Sequence, residues 1–465
     1  MNEIHPKFAV VGHPNKGKSS IVSTLAFDDS VYISSIPGST QKKQSFPLKV
    51  DGNILYELFD TPGFQRARRV LAWLQKHNVS ADKRADVVRN FIEIHRDDER
   101  FNDEVELLEP IMAGAGIIYV VDASKPYSEE YEAQMEVLRW TGQPSMALIN
   151  HISESDYSQE WKRALGHYFK MVRTFNPMKA TFRQHLLLLE SIAQMKEEWV
   201  APVGESIKLF KQYHEQMFER SARNITQLLY KSLSYKEQLS IAQEDAIQEE
   251  RESIALNYQM HLRSLEETSQ KEIKKIWNHQ HLQTDQALLR FKGTDLFSKE
   301  SASIFGLTRK ELLVTAATGG AMTGAGIDII LGGSTLLLGS AIGALVGGTG
   351  AFFGFNELSE VKVLGQNLGK HYLEMGPMEN KNFPYILLGR AIYHATTVAN
   401  RSHALREVAT FSMDSTFKEK WLNEALRKSL EQQHNAFRSG KEIEPKELAK
   451  YEVLIREVLN HLVVK

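Results

Sequence analysis

Gly12-His13-Pro14-Asn15-Lys16-Gly17-Lys18-Ser19 is the stretch that decides the fold. In front of it stands Phe8-Ala9-Val10-Val11, a short β-rich run, and behind it Ser20-Ile21-Val22-Ser23-Thr24-Leu25, a helical one. G-x-x-x-x-G-K-[ST] between a strand and a helix is the context of a phosphate-binding loop. Glycines let backbone N–H groups curl around phosphate, and the following helix adds positive potential at its N-terminus. Gly12, Asn15, Lys16, Gly17, Lys18, Ser19 and Ser20 are therefore the expected nucleotide-binding set. Lys18 is expected to reach the β- and γ-phosphates, and the Ser19 hydroxyl to ligand Mg2+.

About forty residues on, Ile54-Leu55-Tyr56-Glu57-Leu58-Phe59 reads as a strand that delivers Asp60-Thr61-Pro62-Gly63. An Asp there can hold Mg2+ through water, and the Gly63 amide can sense the γ-phosphate. Between the two motifs, Pro37-Gly38-Ser39-Thr40 offers Thr40 as the residue that closes over the metal. Gly116-Ile117-Ile118-Tyr119-Val120-Val121 and Met146-Ala147-Leu148-Ile149 are further short β-rich runs, separated by longer helical patterns. Such alternation predicts an α/β fold, a P-loop GTPase domain of mostly parallel sheet with flanking helices, over residues 1–200. Lys18, Thr40 and Gly63 are its candidate catalytic residues, with Ser19, Thr40 and Asp60 as metal ligands.

Val10-Val11-Gly12-His13-Pro14-Asn15-Lys16-Gly17-Lys18-Ser19-Ser20, Pro37-Gly38-Ser39-Thr40 and Asp60-Thr61-Pro62-Gly63 resemble the Era/TrmE class of bacterial GTPases. The whole chain, including a Gly-Ile-Asp within a glycine-rich tract, resembles one subgroup whose C-terminal half is catalogued only as a domain of unknown function. The resemblance implies GTP and GDP as ligands. It places Asn15 where TrmE-like enzymes coordinate K+, and Phe64 where Ras-like proteins carry a water-positioning Gln. A benzyl group cannot orient water, so a monovalent cation and a second protomer's switch region are expected to supply the missing charge. Asn150 is retained from the guanine motif, but His151 replaces its stacking Lys and Ser153 its Asp. Asp156 lies three residues too late to stand in for that Asp, so base selectivity stays open.

Lys and Arg total 56 against 58 Asp and Glu, a net charge of −2 that gives no whole-molecule attraction to nucleic acid. Cysteine is absent, which removes disulfides, thiolate chemistry and Cys-ligated zinc together. Neither a secretory signal nor a lipidation box is visible, so a cytoplasmic address is expected. Residues 201–311 and 356–465 alternate charges with apolar residues three and four apart, which predicts a helical bundle or stalk and a C-terminal helical region. His279 and His281 stand two apart, on different faces of any helix, and predict no metal site.

Twelve of the 29 glycines fall between Gly319 and Gly354, inside the apolar stretch 312–355 whose single charge is Asp328. Gly339, Gly343 and Gly347 recur at spacing four, a stripe that lets helix backbones approach closely. Each such Gly costs about 0.8–1 kcal/mol in a water-exposed helix. The expected form is therefore an apolar helical hairpin, either dipping into a membrane through this stripe or packed tightly on the bundle. With the G domain, that places the protein at the inner face of the cell membrane as a nucleotide switch, pairing through its G domains. A dynamin-like membrane-remodelling GTPase has the same order of parts. An RNA- or ribosome-associated role, as in Era-class relatives, is the reading that the charge balance disfavours.

Overall fold

The computed structural model describes residues 5–28, 42–50, 52–241, 247–279, 295–308, 311, 362–365, 371–405, 417–439 and 442–463. Thr40, and the glycine stripe of Gly339, Gly343 and Gly347, lie outside the described residues.

The N-terminal half is built on six strands: β1 (Lys7–Gly12), β2 (Gln44–Val50), β3 (Asn53–Asp60), β4 (Gly116–Asp122), β5 (Ser145–Asn150) and β6 (Val172–Thr174). Their order across the sheet is β2-β3-β1-β4-β5-β6, with β2 antiparallel and the remaining pairs parallel. Strand periodicity divides β1 between two cores. Ala9 and Val11 face one side with Ile117, Tyr119 and Val121 of β4. Phe8 and Val10 face the other with Ile118 and Val120. Helices α2 (Ala67–Gln75), α3 (Arg84–His95), α4 (Asn102–Met112) and α5 (Glu130–Trp140) contribute to the first core. Helices α1 (Lys18–Ala26) and α7 (Phe182–Ala193) cover the second, while α6 (Ser158–Leu165) adds Trp161 and Leu165 to the first. Both faces are thus covered, as a buried parallel sheet requires.

Helix α8 (Glu197–Ser234) is 38 residues long and runs across residue 200 without a break. Its first turns belong to the G domain: Trp199, Val203, Ile207 and Phe210 lie in the second core, and Ser206 Oγ donates to Leu55 O at 3.1 Å. Its later turns, from Met217 to Leu233, enter a separate core with α9 (Ile247–Ile276) and the helices Phe383–Ala399, Glu424–Arg438 and Pro445–Leu462. The sequence pattern anticipates this helical half but not its small antiparallel sheet, β7 (Glu237–Ile241), β9 (His371–Met375) and β8 (Lys362–Gly365) in that order. These strands are four or five residues long and sit among charges, so no clear two-residue alternation marks them. Inside this half, Arg390 forms a buried fork with Glu266, 2.6 and 3.1 Å, and donates to Ser301 Oγ at 2.8 Å. Among the described residues, no helix is long and apolar enough to cross a membrane.

Candidate nucleotide site

The phosphate-loop residues gather at the C-terminal end of β1, where ligands bind in open α/β sheets. Gly17 has φ of 85° and stands as the N-cap of α1, and the exposed Asn15 lies in the left-handed region at φ 58°. A Cβ on Gly17 would meet Asn150 Nδ2 at 2.4 Å, while that amide donates to Lys16 O at 3.1 Å. The expected base-side Asn therefore braces the loop from β5. On the other flank, a Cβ on Gly63 would lie 2.6–2.8 Å from Pro14 N, Cδ and Cγ. Glycine is required there because two backbones meet.

Ser19 Oγ donates to Asp60 Oδ2 at 2.7 Å, so the two expected Mg2+ ligands are already side by side. Hard oxygen donors at the loop's open end are the chemistry Mg2+ prefers, so these residues fit the ion. Thr61 Oγ1 donates to Val10 O at 2.8 Å, and Phe64 N to Gly12 O at 3.1 Å. Phe64 itself is buried in the first core, so its ring supports the loop from below. Arg66, Arg68 and Arg69 are exposed.

Two lysines of the loop behave differently. Lys18 is buried and donates to His13 O at 3.2 Å; burial pulls its pKa down to about 8, with Asp60 opposing. Lys16, expected at the nucleotide, turns its ammonium toward Asp122 at the end of β4 (3.9 Å) and over the Tyr131 ring (5.7 Å). Burial lowers its pKa too, and Asp122 resists. The Lys16 carbonyl is held by Asn150, which braces the loop. Asp122 also accepts from Ser124 N at 3.0 Å and ties down Ile152 N at 3.4 Å. Sequence reasoning missed Asp122, although an acid closing an apolar strand was a visible signal.

At the base end, His151 Nε2 meets Asp156 Oδ1 at 3.1 Å and Ser158 Oγ at 2.8 Å. Bonds from Ser158 and His151 hold the Asp156 carboxyl well below the usual carboxylate range. Asp156 also accepts from Ser158 N at 2.8 Å at the start of α6, so it is placed by that helix. Ser153 is exposed.

One further contact joins this site to the C-terminal half. Ser23 Oγ, on α1, donates to His403 O at 2.8 Å, and Thr24 Oγ1 lies 3.2 Å from Ser402 Oγ. Thr24 and Ser402 both donate to Pro177 O, in the loop after β6. Phe27, at the end of α1, sits between His185 and His403, ring centroids 4.9 and 5.0 Å away, and His403 stacks on His279 at 4.1 Å. His279, unpromising as a metal ligand in the sequence, is thus part of an aromatic seam. Among the described residues, no group of three His, Cys, Asp or Glu could hold a metal.

Two families match the chain, and the second begins ahead of β6, inside the N-terminal sheet domain. Residues 7–151 match the family described as 50S ribosome-binding GTPase, and residues 162–459, well over half the chain, match the family described as Domain of unknown function (DUF3482). GTPase Der of Agathobacter rectalis is 39% identical over 87 residues, which is 18% of this chain and 20% of that protein. GTPase Der of Nitrosococcus oceani is 33% identical over 121 residues, 25% of each chain. The chain thus spans a quarter or less of the length of these relatives. A crystal structure of Aquifex aeolicus Era bound to GDP.AlF4- covers 41% of this chain and 56% of its own, with 14% identity and a TM-score of 0.28. With a P-loop GTPase domain at its N-terminus and the second family spanning most of the remaining residues, the chain belongs to the DUF3482 family.

Proposed function

We propose that the chain hydrolyses GTP to GDP and phosphate as a nucleotide switch, and that its C-terminal half is the part that responds. The observation that supports this most is the contact of Ser402 and His403 with α1 and with Pro177. The helix that opens at the phosphate loop and the loop after β6 are thereby bonded to one segment of the C-terminal half. Any ligand that prefers one setting of α1 must then favour one setting of that half, by linkage. Lys18 and the Gly63 amide would stabilise phosphate charge. Ser19, Asp60 and Thr40 would hold Mg2+, which supplies charge neutralisation at the phosphates when bound. Asn15, exposed at the loop's rim, would hold K+ in place of a charge that the buried Phe64 cannot give.

The glycine-rich segment 312–355 would meet a membrane or a membrane protein, and G domains would pair when GTP is bound; remodelling in the manner of dynamins is the stronger form of that reading. The test is single-turnover hydrolysis in K+ and in Na+, for the native chain, Asn15→Ala and Lys18→Ala, with flotation on liposomes alongside. Hydrolysis lost in Lys18→Ala and favoured by K+ only when Asn15 is present is the expected result. Equal rates in both cations would remove K+, and unchanged nucleotide affinity in Lys18→Ala would remove the site. A second reading, association with RNA or the ribosome, is favoured in its ribosome form by the description of the family matched over residues 7–151. The net charge of −2 works against it, and a salt-sensitive shift of RNA would revive it.

A further inference from the structure

Glu104 lies in the first turn of α4, far in sequence from the nucleotide motifs, and is fully buried. One carboxylate oxygen, Oε1, accepts from two successive backbone amides, Gln65 N at 3.0 Å and Arg66 N. These residues lie just past Asp60-Thr61-Pro62-Gly63 and immediately before α2, whose own N-cap, Arg66, makes no side-chain capping bond. Glu104 therefore satisfies, from a distant element, the amides of the turn that leads into α2, that of the N-cap residue included. The second oxygen, Oε2, is buried without a hydrogen-bond partner among the described residues. A neutral cap would avoid that cost, since a buried acceptor left unsatisfied is destabilising. What the carboxylate gains is charge-assisted bonds, roughly twice as strong as neutral ones.

The placement matters because of the turn just before it. Thr61 is tied to Val10, Phe64 to Gly12, and Gln65 and Arg66 to Glu104. Gly63 sits between these anchors, pressed against Pro14. With Phe64 buried, no side chain directly after the motif reaches the phosphate, and the setting of the Gly63 backbone carries more of the task.

We propose that Glu104 is a positioning residue: through Gln65 N and Arg66 N it holds the turn at Gly63 in the setting that meets the γ-phosphate. It rests on the reading of the chain as a GTP hydrolase. The same bonds fasten that turn to α4, so occupation of the γ-phosphate site is felt in the helical block of α3 and α4. Burial raises the carboxyl pKa above that of an ordinary Glu, and the two amides pull it back only in part.

The experiment compares the full-length native chain with Glu104→Ala and Glu104→Gln. Three quantities are read: affinity for GDP, affinity for a non-hydrolysable GTP analogue, and the single-turnover rate. Losing two charge-assisted bonds is expected to slow hydrolysis by about tenfold or more and to lower the GTP-analogue affinity selectively, with GDP affinity within about twofold. Gln keeps one carbonyl acceptor in place and should recover part of the rate. Equal losses for GDP and the GTP analogue would make Glu104 merely structural and overturn the proposal, as would an unchanged rate in a folded Ala variant. Should Glu104→Ala not fold, Glu104→Met, which keeps the side chain's length but has no oxygen acceptor, decides: a rate and analogue-to-GDP ratio equal to the native chain's refute the positioning role. If the native chain itself binds GTP without turnover, the hydrolase reading fails, and the analogue-to-GDP ratio still decides on Glu104.

Discussion

Acidification should loosen the nucleotide domain through one buried imidazole. His185 lies at the seam between α1 and the C-terminal half, fully enclosed, with its ring 4.9 Å from Phe27 and 5.1 Å from Phe210. Tyr56 Oη, 3.0 Å from the His185 Nε2, donates its one proton to Leu25 O at 2.6 Å and so accepts from the imidazole. Burial, aided by His403, pushes its pKa from 6.5 down to about 3. A pKa depressed on folding means that the unfolded chain takes up a proton that the folded one refuses. The resulting stability is complete above pH 6.5 and is lost progressively as pH falls toward about 3. At pH 5 the unfolded state gains one and a half pH units of protonation, so the loss is about 2 kcal/mol. The assay is urea unfolding at pH 7 and at pH 5, followed by tryptophan fluorescence, for the native chain and for His185→Gln. Gln can still bond Tyr56 but does not titrate. The variant should be less stable at pH 7 and should show a pH dependence smaller by about 2 kcal/mol, the remainder coming from other buried histidines such as His394. Identical pH dependence in both proteins would refute the reasoning, because it would mean that His185 titrates alike folded and unfolded.

Other consequences are sharper but narrower. Gly63→Ala forces a methyl against Pro14 at under 3 Å and should weaken GTP-analogue binding at least about tenfold while leaving the fold's circular dichroism unchanged. Ser402→Ala removes bonds to Thr24 and Pro177, and about 1–2 kcal/mol of docking with them. Amide exchange around residue 403 should then rise, and its response to added nucleotide should shrink. Arg390→Met leaves Glu266 buried and uncompensated, and should cost about 3–5 kcal/mol in chemical unfolding. Adding Glu266→Leu to it should restore most of that loss.

The parts of this molecule legible in the sequence are those whose chemistry is local. Gly12 to Ser20 had to be a phosphate loop because glycine spacing, lysine and hydroxyl all sit within nine residues, between a strand and a helix. Asp60 followed from its strand, and it indeed lies against Ser19. Phe64 has no group that could position water, a fact its side chain alone tells, and folding buries its ring. Contacts made across long stretches of chain left no such trace. Glu104 looks like any acid in a helix's first turn; only folding brings it to Gln65 and Arg66. Lys16 matched a motif position, yet its side chain answers to Asp122, 106 residues later. His403 and Ser402 carry no motif at all, and their place against α1 depends on how α8 and the helices beyond it return the chain to the G domain. The short strands β7, β8 and β9 were hidden for a related reason: tertiary pairing, not intrinsic pattern, makes them strands.

Helix α8 carries a consequence for how this protein melts. Its 38 residues span about 57 Å, and its two ends are embedded in different cores. Neither core can come apart without stripping apolar cover from a helix that the other still needs. Cutting the chain at residue 200 would leave each fragment with an uncovered face and no partner for it. Heat should accordingly find one cooperative transition where two families meet in one chain. A nucleotide bound at Lys18 should raise the melting temperature of residues beyond 400 that it never touches.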